Sequence, residues 1–421
     1  MACLLQFVLF AIFVVSALIP PPCYVHGIIS CIETERIALL SIKAGIVQSN
    51  NQSLFFSSWT GQDCCKWKGV GCNNESWHVI KLDLQRYLSH ISDHSHLPPS
   101  KLNSSLIQLH HLKYLDLSMN NFNDSPIPDF IGSLTNLEYL NLSFTGFSGI
   151  IPHTFGNLSR LRYLDLSSHI ELYFPQENKF QWLWLSGTGM SSNDLHWLSG
   201  MSSLSHLDLS GVDLSNVHGW FHDINTLPSL LVLKLTHSKL LVGGIHDTAL
   251  LHYLNFTSLR VLDLSQNYHL NITLPQWLFH LTSLVHLDLN GCALYGKLPV
   301  TISNLSSLRI LSLFDNNFDG VIPESLVYFG LSNNKIGKLP KNIGRLQKLE
   351  MFDLSGNQLQ GLMPASWRSK KPEILDFDGA NNNFWGKLPE TIGNLVHFQF
   401  LELSQNAISG KLPESFGNLS Q

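Results

Sequence analysis

A nine-residue sentence recurs along the chain. It reads Leu259-Arg-Val-Leu262-Asp-Leu264-Ser-Gln-Asn267 and returns as Leu112-Lys-Tyr-Leu115-Asp-Leu117-Ser-Met-Asn120. Variants lie at Leu137 to Thr145, Leu204 to Val212, Leu284 to Cys292, Leu308 to Asn316 and Phe398 to Asn406. Aligned on the first position of Leu-x-Leu, the units start at residues 115, 140, 164, 207, 233, 262, 287, 311, 352 and 401. Close neighbours, as in 115 to 140 or 287 to 311, are 24 or 25 residues apart. A fixed period over hundreds of residues restricts the chain to stacked, near-identical units.

The period has a physical cause. In a short strand alternate side chains share one face, so both leucines of Leu-x-Leu point the same way. A single unit has nothing to bury them against. The next coil, laid alongside, extends a parallel sheet and closes an apolar column. Each buried Leu contributes roughly 1.5–3 kcal/mol, so stability grows almost additively along the array. A polar position follows the strand: Asn120, Asn267, Asn316, Asn334, Asn357 and Asn406, with Cys292 as its substitute. An amide there both donates and accepts, which suits a turning backbone whose groups are otherwise buried unpaired.

The pattern Leu-x-x-Leu-x-Leu-x-x-Asn/Cys-x-Leu is the signature of the leucine-rich repeat. It implies an α/β fold: a right-handed, curved solenoid with a parallel sheet on its concave face. At 421 residues a globular chain would be expected to divide into domains, but a solenoid core grows linearly and need not. The formal charge is −5, and no basic block stands out, which argues against a nucleic-acid partner. Charged residues are only 14% of the chain, so its surface falls to Ser, Asn, Thr, His and glycans.

Residues 1–27 read as a secretory signal: Leu4 to Ile19 is apolar and Pro20-Pro21-Pro22 follows, with cleavage expected after Gly27. The run is short for a membrane span. Residues 28–77 read as a non-repeat cap, with helical apolar spacing from Glu35 to Lys43. An open solenoid end needs such a cover. Cys31, Cys64, Cys65 and Cys72 allow three pairings. Neighbours Cys64 and Cys65 are poor partners, and the expected set is Cys31–Cys64 with Cys65–Cys72. A zinc site is the alternative, but there is no Cys-x-x-Cys and a secretory route favours oxidation. Residues 78–421 hold the repeats.

Cys31-x-x-x-Glu35-Arg36-x-Ala38-Leu39-Leu40, then Trp59, then Asp63-Cys64-Cys65-x-Trp67-x-Gly69-Val70-x-Cys72 resembles the N-terminal cap of plant extracellular leucine-rich-repeat proteins. The plant-type Gly-x-Ile/Leu-Pro occurs from Gly149, Gly296, Gly320, Gly337, Gly386 and Gly410. Trp197-Leu-Ser-Gly-Met201-Ser-Ser-Leu204 to Trp220, with Leu227-Pro228-Ser-Leu230, resembles receptor-like proteins of the ethylene-inducing-xylanase receptor type. That resemblance implies a cell-surface recognition domain with no kinase of its own. A single-span helix and a short tail would follow the repeats, and signalling would be borrowed from a receptor-kinase partner. It also implies a secretory route, ending at the plasma membrane as a single-pass type I protein or in the apoplast.

Tyr114, Tyr139 and Tyr163 hold one strand position in three consecutive units, with Asp116 and Asp165 beside them and Asn141 between. On a solenoid they form a concave strip suited to a protein, peptide or glycan ligand; tyrosine is also ordinary filler at such positions. His90, Asp93, His94 and His96 have metal-ligand chemistry, but a polar loop explains them as well. Residues 169–203 break the rhythm, with a degraded strand at Trp182-Leu-Trp184-Leu185; we read a repeat with an irregular loop, where solenoids often expose binding surface. Further irregularities fall at 240–256, in a shortened unit near Val327 to Asn334, and at a degraded strand near Phe377. Gly291 to Leu298 is close to a phosphate-binding loop, but Leu298 replaces the hydroxyl and Gly-Lys-Leu-Pro recurs at 337, 386 and 410, so this is repeat grammar.

Ten N-x-S/T sequons occur, at Asn51, Asn74, Asn103, Asn123, Asn141, Asn157, Asn255, Asn271, Asn304 and Asn418. In a secreted chain they imply N-glycans on exposed faces. The chain stops inside a repeat at Gly417 to Gln421 without a second cysteine cap, from which we expect either a truncated gene product or a fragment of a longer receptor that carries the membrane helix. No catalytic constellation or cofactor loop is found, so no enzyme activity is expected. The favoured function is an immune-type receptor ectodomain that binds a microbial or peptide ligand and docks a co-receptor kinase. The alternatives are a secreted inhibitor similar to polygalacturonase-inhibiting proteins and the ectodomain of a receptor kinase.

Overall fold

In the computed structural model of the protein, the described residues are 31–46, 55–85, 100–176, 179–186, 189–242, 254–322, 329–339, 351–365, 376–394 and 399–419. The signal segment, the histidines at 90–96 and Asn51 lie outside them.

The Leu-x-Leu segments become the rungs of one 14-stranded sheet. Leu82 pairs with Leu115, Leu115 with Leu140, Leu140 with Leu164 and Leu164 with Leu207. The same register runs on through Leu233, Leu262, Leu287 and Leu311. All these pairs are parallel, because each coil crosses the molecule before the next strand begins. Leu207 and Leu262 and their counterparts two residues on, Leu209 and Leu264, are buried. The shortened unit and the degraded strand still supply rungs: Phe329–Gly330 and Asp376–Asp378 pair within the sheet. Phe377 is fully buried there in place of leucine.

The Asn column closes each turn. Asn120 Nδ2 donates to the Leu117 carbonyl of its own coil at 2.8 Å and to the Leu84 carbonyl of the preceding coil at 3.0 Å. Asn316, Asn334, Asn357, Asn382 and Asn406 repeat both bonds one coil further each time. Cys292 fills the position with its Sγ 3.0 Å from the Leu264 carbonyl. Burial pushes its thiol up to about 12, so it packs as an unreactive apolar group.

The Gly-x-Ile/Leu-Pro segments form a second, shorter row of strands. Tyr295–Lys297, Asn317–Val321 and Lys335–Lys338 make one three-stranded sheet, and Gln360–Gly361, Asn383–Gly386 and Ala407–Ile408 another. The Gln358 N–H donates to the Ile336 carbonyl at 3.1 Å and joins the two.

The cap forms as expected. Helix Glu33–Ile46 buries Ala38, Leu39, Ile42 and Ile46, and the rings of Trp59 and Trp67 stack at 5.1 Å beside it. Cys31 bonds Cys64 and Cys65 bonds Cys72, so the cysteines a zinc site would need are committed to disulfides. Buried Glu35 accepts from the Val79 N–H at 2.7 Å and pairs with His78 Nδ1 at 2.9 Å. These contacts fix the helix to the first strand of the solenoid.

The stretch after Ser168 corrects the sequence reading. Trp182–Leu185 is not a rung of the main sheet. His169–Gln176 and Lys179–Ser186 instead pair antiparallel with each other along their whole length, and Leu164 pairs directly with Leu207. Two adjacent eight-residue segments close a hairpin across a short connection. That contact is more local, and so entropically cheaper, than reaching the next coil. The insert therefore leaves the repeat stack intact.

Candidate functional site

The concave face is built from the two outward residues of each rung. Register sets the first column as Tyr114, Tyr139, Tyr163 and His206, continued by Val232, Val261 and His286. The first four rings stack face to face, at 4.1, 4.3 and 4.2 Å between centroids and within 17° of parallel. Rung spacing in a sheet, about 4.8 Å, holds flat rings near their stacking distance. Lys81 Nζ caps the first ring 4.5 Å above Tyr114. His206 belongs to the strip and was missed by a reading that looked for tyrosine alone; its strand position, one residue before Leu207, was the available signal. Burial lowers its pKa, which favours the neutral ring in the stack.

The second column runs Asp116, Asn141, Asp165, Asp208, Lys234, Asp263 and Asp288. Asp116 is buried. One of its oxygens accepts from the Ser118 N–H at 2.9 Å and from the Ser118 hydroxyl at 2.6 Å. The other receives the Tyr114 and Tyr139 hydroxyls at 3.4 and 3.3 Å. It thus tethers the tyrosines. Tyr163 reaches Asp165 in the same way at 3.4 Å. Burial, reinforced by the adjacent carboxylates, raises the pKa of Tyr114 and Tyr163, so the strip presents neutral hydroxyls.

Beyond the tyrosines the face deepens into a groove of about 490 Å³ between Phe144 and Phe314, lined by Asp208, Lys234, Asp263 and Asp288. Lys234 lies between Asp208 and Asp263, with its Nζ 3.7 Å from Asp208. Three carboxylates around one ammonium leave the groove negative, a setting that suits a guanidinium or ammonium from outside.

Burial first, and then Asp208 alongside, push the Asp165 carboxyl up to about 6. The unfolded chain titrates this group near ~3.9, so between about pH 4 and 6 the folded chain holds the extra proton. Stability contributed by this group therefore falls as pH rises through that window. Asp165→Asn, which keeps an oxygen for the Ser167 N–H, should gain on the parent in thermal melting as pH goes from 4 to 7. A constant difference in Tm across that range contradicts the assignment.

The sequons divide by geometry. Asn74, Asn123, Asn157, Asn255, Asn271 and Asn304 are exposed. Asn103 donates its amide to the Ser41 carbonyl at 3.0 Å, and Asn255 to the Asn225 carbonyl at 2.8 Å. Asn141 is buried, with its amide 3.4 Å from Asp116, which removes it as an accessible acceptor on the concave strip.

The matches to known proteins agree with this architecture. The Leucine rich repeat N-terminal domain family matches residues 32–73. Leucine rich repeat families match 110–169 and then 283–305, 307–329, 348–369 and 397–419. Receptor-like protein EIX1 of Solanum lycopersicum is 37% identical over 294 residues, which is 68% of this chain and 26% of that protein. The chain thus spans about a quarter of the length of that relative. The ectodomain of the Arabidopsis receptor kinase HAESA, solved in complex with an extended IDA peptide hormone, superposes with a TM-score of 0.67 at 28% identity. The match covers 91% of this chain and 59% of that one. HAESA in complex with IDA and the co-receptor SERK1 gives 0.66 at 26% identity, over 92% and 64%. With its paired-cysteine cap, its 14-stranded sheet and these relatives, the chain belongs to the plant extracellular leucine-rich-repeat proteins of the receptor-like type.

Proposed function

We propose that the chain is the ligand-recognition part of a plant cell-surface receptor-like protein, which captures a microbial or peptide ligand on its concave face and signals through a partner receptor kinase. The observation that carries this reading is the aromatic stack running into an acidic groove on one continuous sheet face. Both faces of Tyr139 and Tyr163 are covered by neighbouring rings, so a sugar has no free ring face to lie on. Ring edges, hydroxyls and carboxylates remain, which favours a peptide with a basic side chain over a glycan. HAESA is solved with a peptide hormone in both complexes and with a co-receptor in one; the same division between a ligand and a signalling partner is proposed here. Among the described residues no helix is long and apolar enough to cross a membrane.

The test is capture from microbial culture filtrate and plant apoplastic fluid on the immobilised chain, with bound peptides identified by mass spectrometry. Tyr114→Ala/Tyr139→Ala/Tyr163→Ala and, separately, Asp263→Asn/Asp288→Asn should each reduce capture of the same species about tenfold or more. Tyr→Phe at the three positions keeps the stack and reports on the hydroxyls alone. Undiminished capture by both multiple variants, at unchanged melting temperature, would remove the concave face as the site.

A further inference from the structure

The second row of strands carries a surface that concave-face recognition does not use. Its strands carry Lys297, Lys335 and Lys338, and Lys387 and Lys411 follow the strands that end at Gly386 and Ile408; all five are exposed, and within the six strands Asp319 is the one carboxylate. Between them Tyr295, Val321, Leu362 and Trp385 are 47–59% exposed. Register places Asp319 between Lys297 and Lys335, and Val321 beside Lys338, so the one acid is flanked by two lysines and the rest of the strip is positive. The chain as a whole is at −5, which makes this flank a local reversal of sign.

The lysine stems lie along the strip. A Cβ on Gly320 would sit 3.1 Å from Lys297 Cγ, and one on Gly410 would sit 2.9 Å from Lys387 Cγ. Glycine at these positions, with φ of +85° and +101°, leaves room for the stem of the preceding coil to rest on the next strand. No sequon falls on an outward position of the six strands; exposed Asn271 borders them, since Ile272 accepts the Tyr295 N–H at 3.1 Å.

Dimensions select the partner. Six strands at about 4.8 Å spacing and three residues of width give a strip of roughly 24 by 7 Å. Even doubled for side-chain reach, that is well below the ~800 Å² per partner of a stable protein interface. The inner strands Asn317–Val321 and Asn383–Gly386 are paired on both sides, so an extended peptide finds no edge to add to in the middle of the strip. The strip does fit a narrow polymer whose repeating unit has an apolar C–H face for Trp385 and Tyr295 and an anionic group for the lysines. We propose that this flank binds a linear polysaccharide bearing carboxylates, a polyuronate, independently of whatever occupies the concave face.

The test uses the full secreted chain on immobilised polygalacturonate, with neutral dextran and polyglutamate as comparison polymers. Retention is expected on polygalacturonate alone, fading as salt rises from about 0.05 to 0.5 M because exposed charges are screened. Lys297→Glu/Lys338→Glu/Lys387→Glu should weaken it at least tenfold, and Trp385→Ala severalfold with the salt slope kept. Asp319→Lys should tighten it, a gain that misfolding does not produce. Equal retention on polyglutamate or dextran, undiminished retention of the triple variant, or no gain from Asp319→Lys overturns the proposal.

Discussion

Leu264→Asp should destabilise the chain by about 4 kcal/mol or more and largely abolish its secretion. Leu264 is 3% exposed and stands in the inward column between Leu235 of the preceding coil and Leu289 of the next, as the register of their strands requires. Truncating such a leucine costs ~2–5 kcal/mol through lost transfer energy and the cavity left behind. A carboxylate adds the penalty of burying a charge with no cation beside it, relieved only in part if the group takes up a proton. Domains rest on a margin of about 5–15 kcal/mol, and in a solenoid the damage concentrates at the interfaces of one coil with its two neighbours. The expected signature is therefore early proteolytic cleavage near residue 264 as well as a lower Tm. Leu231→Asp is the matched control, because Leu231 points outward at 37% exposure; it should melt with the parent. Equal behaviour of the two variants would show that the strand register is misplaced.

That register was legible before any coordinates because it is overdetermined. Each rung places two apolar residues at a spacing of two, and the rungs themselves recur at a near-constant interval, so a slip of one residue would expose the whole column. The cap was legible for a related reason: four cysteines and two tryptophans in a short segment leave few ways to cover an open end. The losses have one source. Residue patterns report which face of a strand is buried and say little about which strand it pairs with. Trp182-Leu-Trp184-Leu185 has the composition of a rung, yet its partner is the neighbouring segment His169–Gln176. His206 was passed over for the converse reason: its position was right and its residue type was unexpected. The separation of the concave strip into tethering and open carboxylates was also out of reach, since Asp116 and Asp263 occupy the same place in the repeat. Only the local geometry sets Asp116 under two tyrosine hydroxyls and Asp263 in the open groove.

Asn267→Ala should cost about 3 kcal/mol although it removes no apolar surface. The Asn267 side chain is fully buried. Its Nδ2 donates to the carbonyls of Leu264 at 2.7 Å and Leu235 at 2.8 Å, and its Oδ1 accepts from the N–H groups of Ser238 at 3.1 Å and Leu240 at 3.0 Å. One amide therefore serves polar groups of two coils, two donors and two acceptors, that lie out of reach of water. A made hydrogen bond contributes only about 1 kcal/mol net, but each buried group left without a partner costs ~1–3 kcal/mol. Alanine orphans the two N–H groups outright; the Leu264 carbonyl keeps the Cys292 thiol at 3.0 Å, which limits the loss. Asn267→Cys should fall between alanine and the parent, because the Cys292 coil shows that sulfur fits the position and still faces a carbonyl. Urea unfolding that ranks the three as parent, then Cys, then Ala supports a polar column acting between coils. If alanine and the parent unfold at the same denaturant concentration, the leucine spine alone holds the stack, and the Asn column is only a turn preference.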